Sequence, residues 1–250
     1  MDWRLVDSDL CDPAYSVAAD EAMALTRSRG EVPDTLHLYR RNRPTVSLGY
    51  FQKVSQAVDL DFCRESNVGI VRRVTGGSAI YTDMNHLIYG LAVGSDSLPA
   101  DREGSFRKVC SAIVAALSAL GIDAQYKPIN DVLVSDRKIS GSAQMRRWGI
   151  VLQHGTVILE NDASKMVRAL RMDIRKLKQR GLEPLTYVTS LAEVLGAPPD
   201  INKIKAVLVA SFEEEFRVNL VKSDFTRAEK ELIRELIERK YGSESWNLRF

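Results

Sequence analysis

Cysteine is scarce in this chain: Cys11, Cys63 and Cys110 are the three among 250 residues. Their odd number, and the lack of any CxxC or Cys/His cluster, argue against a disulfide framework and a structural zinc site. Histidine is as thinly spread. His37, His86 and His154 fall into no metal-ligand spacing. Long hydrophobic runs are missing, and the opening MDWRLVDSDL has no basic region followed by an apolar one, so neither a membrane span nor a secretory leader is expected. Neither sign of charge dominates. A net charge of +2 gives no globally basic surface, and nucleic acid is not expected as a partner. Repeats and low-complexity segments are also absent. Together these absences point to a protein of the reducing cytoplasm with no membrane partner.

What remains is an ordinary globular composition. Apolar residues at 45% can form a sizeable core, and 27% charged residues can solvate its surface. The spacing predicts a first strand at WRLVDS and a helix opened by Asp12 and Pro13 and closed by Gly30. TLHLYR and TVSLGY read as strands around a turn, residues 57–66 as weakly helical, and GIVRRV, SAIYTD and HLIYGLAVG as further strands. Ser105 is expected to cap a helix carrying Phe106, Val109, Ile113 and Leu117, ended by Gly121. NDVLVSD, RKISGSAQMRR and GIVLQHGTVIL follow as three strands. The tail supplies a short helix at LAEVLG, a helix over 201–216, a strand at RVNLVK and a helix behind a capping box of Thr226 and Glu229. The fold class implied is α+β, with mixed or antiparallel sheets and helices packed on one side. A single domain is expected over 1–250, with 186–250 a helix-and-strand segment packed on it.

Three stretches can carry chemistry. RRVTGGSAIYTD, residues 72–83, runs two arginines into a Gly-rich turn. Glycine leaves backbone N–H groups bare for an anion or polar ligand. Arg72 and Arg73 alternate on a strand, so one of them can face the turn. A plain hairpin with surface arginines accounts for the stretch equally well. NDVLVSDRKISGSAQ, residues 130–144, places Lys138 and Ser140 on one expected strand face. Lys138 can neutralise a phosphate or a developing oxyanion, and Asp131 can hold Mg²⁺. A hairpin with a solvated lysine is the simpler account. His154, in LQHGTVIL, reads by itself as a hydrogen-bonded structural residue.

In order and spacing, however, these stretches resemble the lipoate–protein ligase A family within the biotin/lipoate ligase fold. RRVTGGSAIYTD is similar to that family's RRxTGGGxVxHD, and NDVLVSDRKISGSAQMRRWGIVLQHGTVIL to its ND…GxKxSGSA…HGTLL. VAADEAM, RPTVSLGYFQ, VTSLAEVLG and KYGSESWNLRF extend the resemblance over nearly the whole chain. It implies activation of lipoate by ATP to lipoyl-AMP, and transfer of the lipoyl group to a lysine of an acceptor domain. ATP, Mg²⁺ and lipoate are then substrates and activator, and no tightly bound cofactor is expected. Lys138 is implied as the residue at the activated carbonyl. Arg72, Arg73, Thr75, Gly76, Gly77, Ser78, Tyr81, Asn130, Ser140, Gly141 and His154 are implied around lipoate or lipoyl-AMP, with Asp131 at Mg²⁺. Two positions depart from the pattern: Ser78 replaces a glycine and Thr82 a histidine. The chain also resembles a short form lacking an accessory C-terminal domain, which implies a separate small subunit as partner beside the acceptor. The basic run RALRMDIRKLKQR suggests docking of an acidic acceptor domain through Arg175 and Lys176, although most charge runs are simply solvated.

Other readings compete. An octanoyltransferase of the same fold uses a cysteine nucleophile before the lysine motif, and no cysteine follows Cys110 here. A lipoyl amidotransferase needs no such cysteine. A non-catalytic lipoyl- or acyl-binding protein finds support only in Ser78 and Thr82. A biotin ligase lacks support, since no GRGRxGR-type phosphate loop is present.

Overall fold

A computed structural model describes residues 1–172, 177, 178, 181 and 183–250. Among the described residues, eleven strands form two sheets. They are β1 (Asp2–Cys11), β2 (Thr35–Arg41), β3 (Thr45–Leu48), β4 (Gly69–Arg72), β5 (Ile80–Thr82), β6 (His86–Gly94), β7 (Gln125–Lys127), β8 (Asp131–Val134), β9 (Arg137–Arg147), β10 (Ile150–Ile158) and β11 (Asn219–Lys222). The large sheet runs β11-β1-β2-β6-β10-β9-β8-β7, and the small one β4-β3-β5. β1 pairs in parallel with β2 and β11, and β3 with β4; the other ladders are antiparallel. The fold is therefore mixed α+β, as the sequence implies.

Helices cover both faces of the large sheet rather than one. Every residue of β6 and β10 is buried, so alternate side chains must find partners on opposite sides. Leu87, Tyr89, Leu91 and Val93 share one core with Val109 and Ile113 of helix Arg102–Ala119 and with Leu208 and Phe212 of helix Ile201–Phe216. Ala92, Ile150 and Leu152 share the other with Val17, Ala18, Ala22 and Met23 of α1 (Pro13–Ser28). Each fully buried large side chain contributes about 1.5–3 kcal/mol of transfer free energy. The small sheet has its own core, built on Val46, Leu48 and Tyr81 and including Ile158 of β10.

Helix starts follow local chemistry. Asp12 caps α1 by accepting the Ala14 N–H, ahead of Pro13. The helix over 102–119 is capped by Asp101 rather than Ser105; Ser105 lies inside it and accepts a hydrogen bond from Gln144. The weak helix expected over 57–66 is two short ones, Val54–Ala57 and Leu60–Glu65. The capping box at Thr226 and Glu229 is present. Glu229 also takes both terminal nitrogens of buried Arg4, at 2.8 and 2.6 Å, tying the tail to β1. Among the described residues no helix is long and apolar enough to cross a membrane.

Candidate active site

The site forms where β8 and β9 turn. Ser135 and Asp136 adopt positive φ, 48° and 61°, joining Val134 to Arg137 by a two-residue hairpin loop of the kind that matches strand twist. A bulge follows. Val132 pairs with Ser140 and Leu133 with Lys138, leaving Ile139 as the extra residue. Adjacent residues of a strand face opposite ways. Lys138 and Ser140 are therefore on opposite faces, not on one as expected. Ser140 is buried beside Val132, Val134 and Ile139 on the helix side. Lys138 shares the other face with Asp131 and Gly141, which pair directly.

Lys138 Nζ is 2.6 Å from Asp131 Oδ1, a partly buried ion pair. Gly141 makes room for it: a Cβ there would be 2.4 Å from Nζ. The backbone of Lys138 is strapped by segment 187–189, donating to Tyr187 O at 3.1 Å and accepting from Thr189 N at 2.9 Å. Burial alone would lower the pKa of Lys138. Asp131, and then Tyr187, outweigh burial and raise it, so the group is a cation at neutral pH. Asp131 is thus engaged by an ammonium. Among the described residues no three His, Cys, Asp or Glu side chains gather as a metal cage. One ion-paired carboxylate does not fit a Mg²⁺ ion by itself.

The Gly-rich turn lies along the same sheet face. The position of a Cβ on Gly77 is 3.7 Å from Ala143 Cβ, two residues beyond Gly141. Gly77 has φ +90°, and Gly49 backs onto it so closely that a Cβ on Gly49 would be 2.0 Å from Gly77 O. Thr75 is buried, Gly76 has open space around it, and Gly77 and Ser78 are exposed. Both arginines are taken up by backbone carbonyls, and Arg73 alone braces the turn. Arg73 donates to Ser47 O, Gly76 O and Ser78 O at 2.6–2.8 Å and to Thr75 Oγ1 at 3.0 Å. Burial, and then the like charge of Arg41, pull its pKa down to about 9. Arg72 is fully buried and donates to the carbonyls of Gly49, Tyr50, Gln52, Trp246 and Arg249.

His154 sits beneath the turn. Its Nε2 is 2.7 Å from Thr75 Oγ1 and its Nδ1 2.7 Å from Asp20 Oδ2. Asp20 also accepts from Tyr39 OH at 3.0 Å and lies 3.6 Å from His37 Nδ1. Burial would raise the Asp20 carboxyl, but the contacts with His154 and His37 prevail and hold it well below the usual carboxylate range. The sequence reading missed Asp20, although an acidic pair, Asp20 and Glu21, among Ala18, Ala19 and Ala22 was the available signal.

Other expected residues sit elsewhere. Tyr81 is in the core of the small sheet. The Asn130 amide donates to Ser142 O, joining β8 to β9. Thr82 is buried, accepting from Arg41 at 2.9 Å. Arg175 and Lys176 lie outside the described residues. All three cysteines are buried, and burial pushes the thiols up, Cys11 to about 12 and Cys63 and Cys110 to about 11.

A lysine–carboxylate pair on the sheet face that carries a bare-backbone turn has the chemistry to hold a polarised acyl or phosphoryl group. The chain belongs to the lipoyl protein ligase A/B catalytic domain family, whose model matches residues 12–213. Its curated relatives include proteins named octanoyltransferase LipM. That of Symbiobacterium thermophilum is 32% identical, over 99% of this chain and 98% of the relative. That of Clostridioides difficile is 31% identical, over 98% of each. Among solved structures, the bipartite lipoate protein ligase of Thermoplasma acidophilum, described with its E2 lipoyl domain, superposes with a TM-score of 0.87 at 28% identity, covering 99% of this chain and 96% of that one. A lipoate–protein ligase A bound with ATP superposes at 0.87 and 27% identity, covering 99% of each.

Proposed function

We propose that this protein acylates a lysine of a lipoyl-acceptor domain with a lipoyl or octanoyl group, and that the acyl group arrives already activated as an acyl-adenylate. The observation that carries the reading is the Lys138 ammonium, fixed by Asp131 over Gly141, in a chain whose three thiols are all buried and pushed far from the thiolate form. The acceptor amine attacks the acyl carbonyl and a C–N bond forms. The carbonyl electron pair moves onto oxygen beside Lys138, the nitrogen gives its proton to solvent, and collapse breaks the C–O bond to phosphate and releases AMP. A fixed cation at the developing oxyanion acts where charge appears, the kind of contribution for which one lost donor costs roughly 100- to 1000-fold in rate. Any Mg²⁺ comes with the nucleotide as substrate. The bipartite organisation of the T. acidophilum relative supports a second protein as partner in adenylation.

A second reading, octanoyl transfer from a carrier-protein thioester, has the names of the curated relatives behind it. Covalent transfer through cysteine would need a reactive thiolate. Cys110, whose Sγ lies 3.8 Å from Ser142 Oγ on the helix side of the sheet, is poorly suited to that task.

The test offers the chain three donors with an apo lipoyl domain: lipoate plus ATP, presynthesised lipoyl-AMP, and octanoyl-acyl carrier protein. Lys138→Ala is the control. Lys138-dependent modification from lipoyl-AMP supports the first reading. Modification from the carrier thioester alone would replace it with the second.

A further inference from the structure

The contacts beneath the turn have one consistent direction. Asp20 is ionised and can only accept, so Nδ1 of His154 is the donor in their 2.7 Å contact. A neutral ring protonated at Nδ1 presents Nε2 as an acceptor for the Thr75 hydroxyl proton at 2.7 Å. Thr75 Oγ1 in turn accepts from Arg73 Nε at 3.0 Å, and Arg73 holds the carbonyls of Gly76 and Ser78. Hydrogen bonds thus run without conflict from Arg73 through Thr75 and His154 to Asp20. Were Nε2 the protonated nitrogen, Thr75 would receive two donors and its own proton would have no acceptor. Asp20 is itself closely packed. Tyr39 OH donates to the same oxygen, and a Cβ on Gly90 would come within 2.6 Å of the other. Asp20, His154, Thr75 and Arg73 are all at least nine-tenths buried.

We propose that Asp20 is a positioning residue that acts through His154. By fixing the imidazole with its proton on Nδ1, it locks Thr75 and hence the bare backbone of residues 76–78 against the sheet face that carries Lys138. Asp20 touches no reacting atom. It sets how well the turn is preformed, and so how much ordering a bound ligand must impose. The identity of that ligand rests on the proposed function; the placement of the turn does not.

The test uses the full chain and two variants, Asp20→Asn and Thr75→Val. The ¹⁵N signals of His154 report its tautomer. Amide hydrogen exchange of residues 75–78, compared with the central strands, reports the turn. Transfer from lipoyl-AMP to an apo lipoyl domain reports KM and kcat. We expect the Nδ1–H tautomer in the native protein and its loss in Asp20→Asn. Exchange over 75–78 and KM for lipoyl-AMP should each rise about tenfold, with kcat changed less than KM. Thr75→Val, which keeps the Asp20–His154 contact, should loosen the turn equally, and it decides the matter if Asp20→Asn does not fold. A native His154 with its proton on Nε2, or turn exchange unchanged in the folded variants, overturns the proposal. If lipoyl-AMP is not a donor at all, the proposed function fails, while the tautomer and exchange measurements still decide the role of Asp20.

Discussion

At the scale of the residue, Gly141 shows how an absent side chain can be functional. Its missing Cβ is the space in which Lys138 bends toward Asp131. Gly141→Ala should therefore displace a flexible lysine rather than disturb backbone. We expect unfolding free energy within about 1 kcal/mol of the native protein, together with a fall in acyl transfer approaching that of Lys138→Ala. Urea denaturation and the lipoyl-AMP assay check the two halves separately. Cys110 makes the opposite case. Its thiol is pushed up to about 11, so at pH 7.5 it should resist alkylation in the folded protein and react at an ordinary rate in urea. Cys110→Ala should keep transfer within about threefold, since a small buried thiol contributes packing rather than chemistry. Loss of transfer on that change would favour the thioester route.

At the scale of the element, the β8–β9 hairpin fixes which way the site faces. Its bulge at Ile139 turns Lys138 and Ser140 apart, and simple alternation in RKISGSAQ cannot reveal it. This is why the motifs could bring Lys138, Asp131 and Gly141 together as candidates but could not place Ser140. The partners of Arg72 and Arg73 were hidden for a related reason. The sequence shows two cations beside glycine, but only the fold shows that backbone carbonyls from residues 47–52, 76–78 and 246–249 consume them. Strands and helix caps, by contrast, follow from periodicity and local chemistry, and most were placed correctly. The hairpin also predicts a stabilising change. Asp136 holds φ 61°, a region that costs an L-residue roughly 1–2 kcal/mol. Asp136→Gly should raise the urea midpoint, with a net gain of about 0.5 kcal/mol after the entropy of glycine is subtracted.

At the scale of the whole molecule, two buried carboxylates link distant parts of the chain, Asp20 to the turn and Glu229 to Arg4. Both have pKa values lowered in the fold, against burial, by their partners. A depressed carboxylate contributes stability that is fully present above its unfolded pKa, about 4, and is lost as pH falls toward the folded value. Stability should thus be level with respect to these groups above about pH 5 and decline below about pH 4. Asp20→Asn should be less stable than the native chain at pH 7 and approach it in acid, a convergence that urea midpoints measured across pH would reveal. The clamp on Arg72 carries a different consequence, one of timing. Trp246, Asn247 and Arg249 complete the hydrogen bonding of a strand about 175 residues earlier, and a buried guanidinium without them is costly. On the ribosome, these residues leave the exit tunnel long after the strand they brace. A nascent chain cannot complete the bonding of buried Arg72 until they emerge, so that end of β4 is finished only after some 175 further residues have been made.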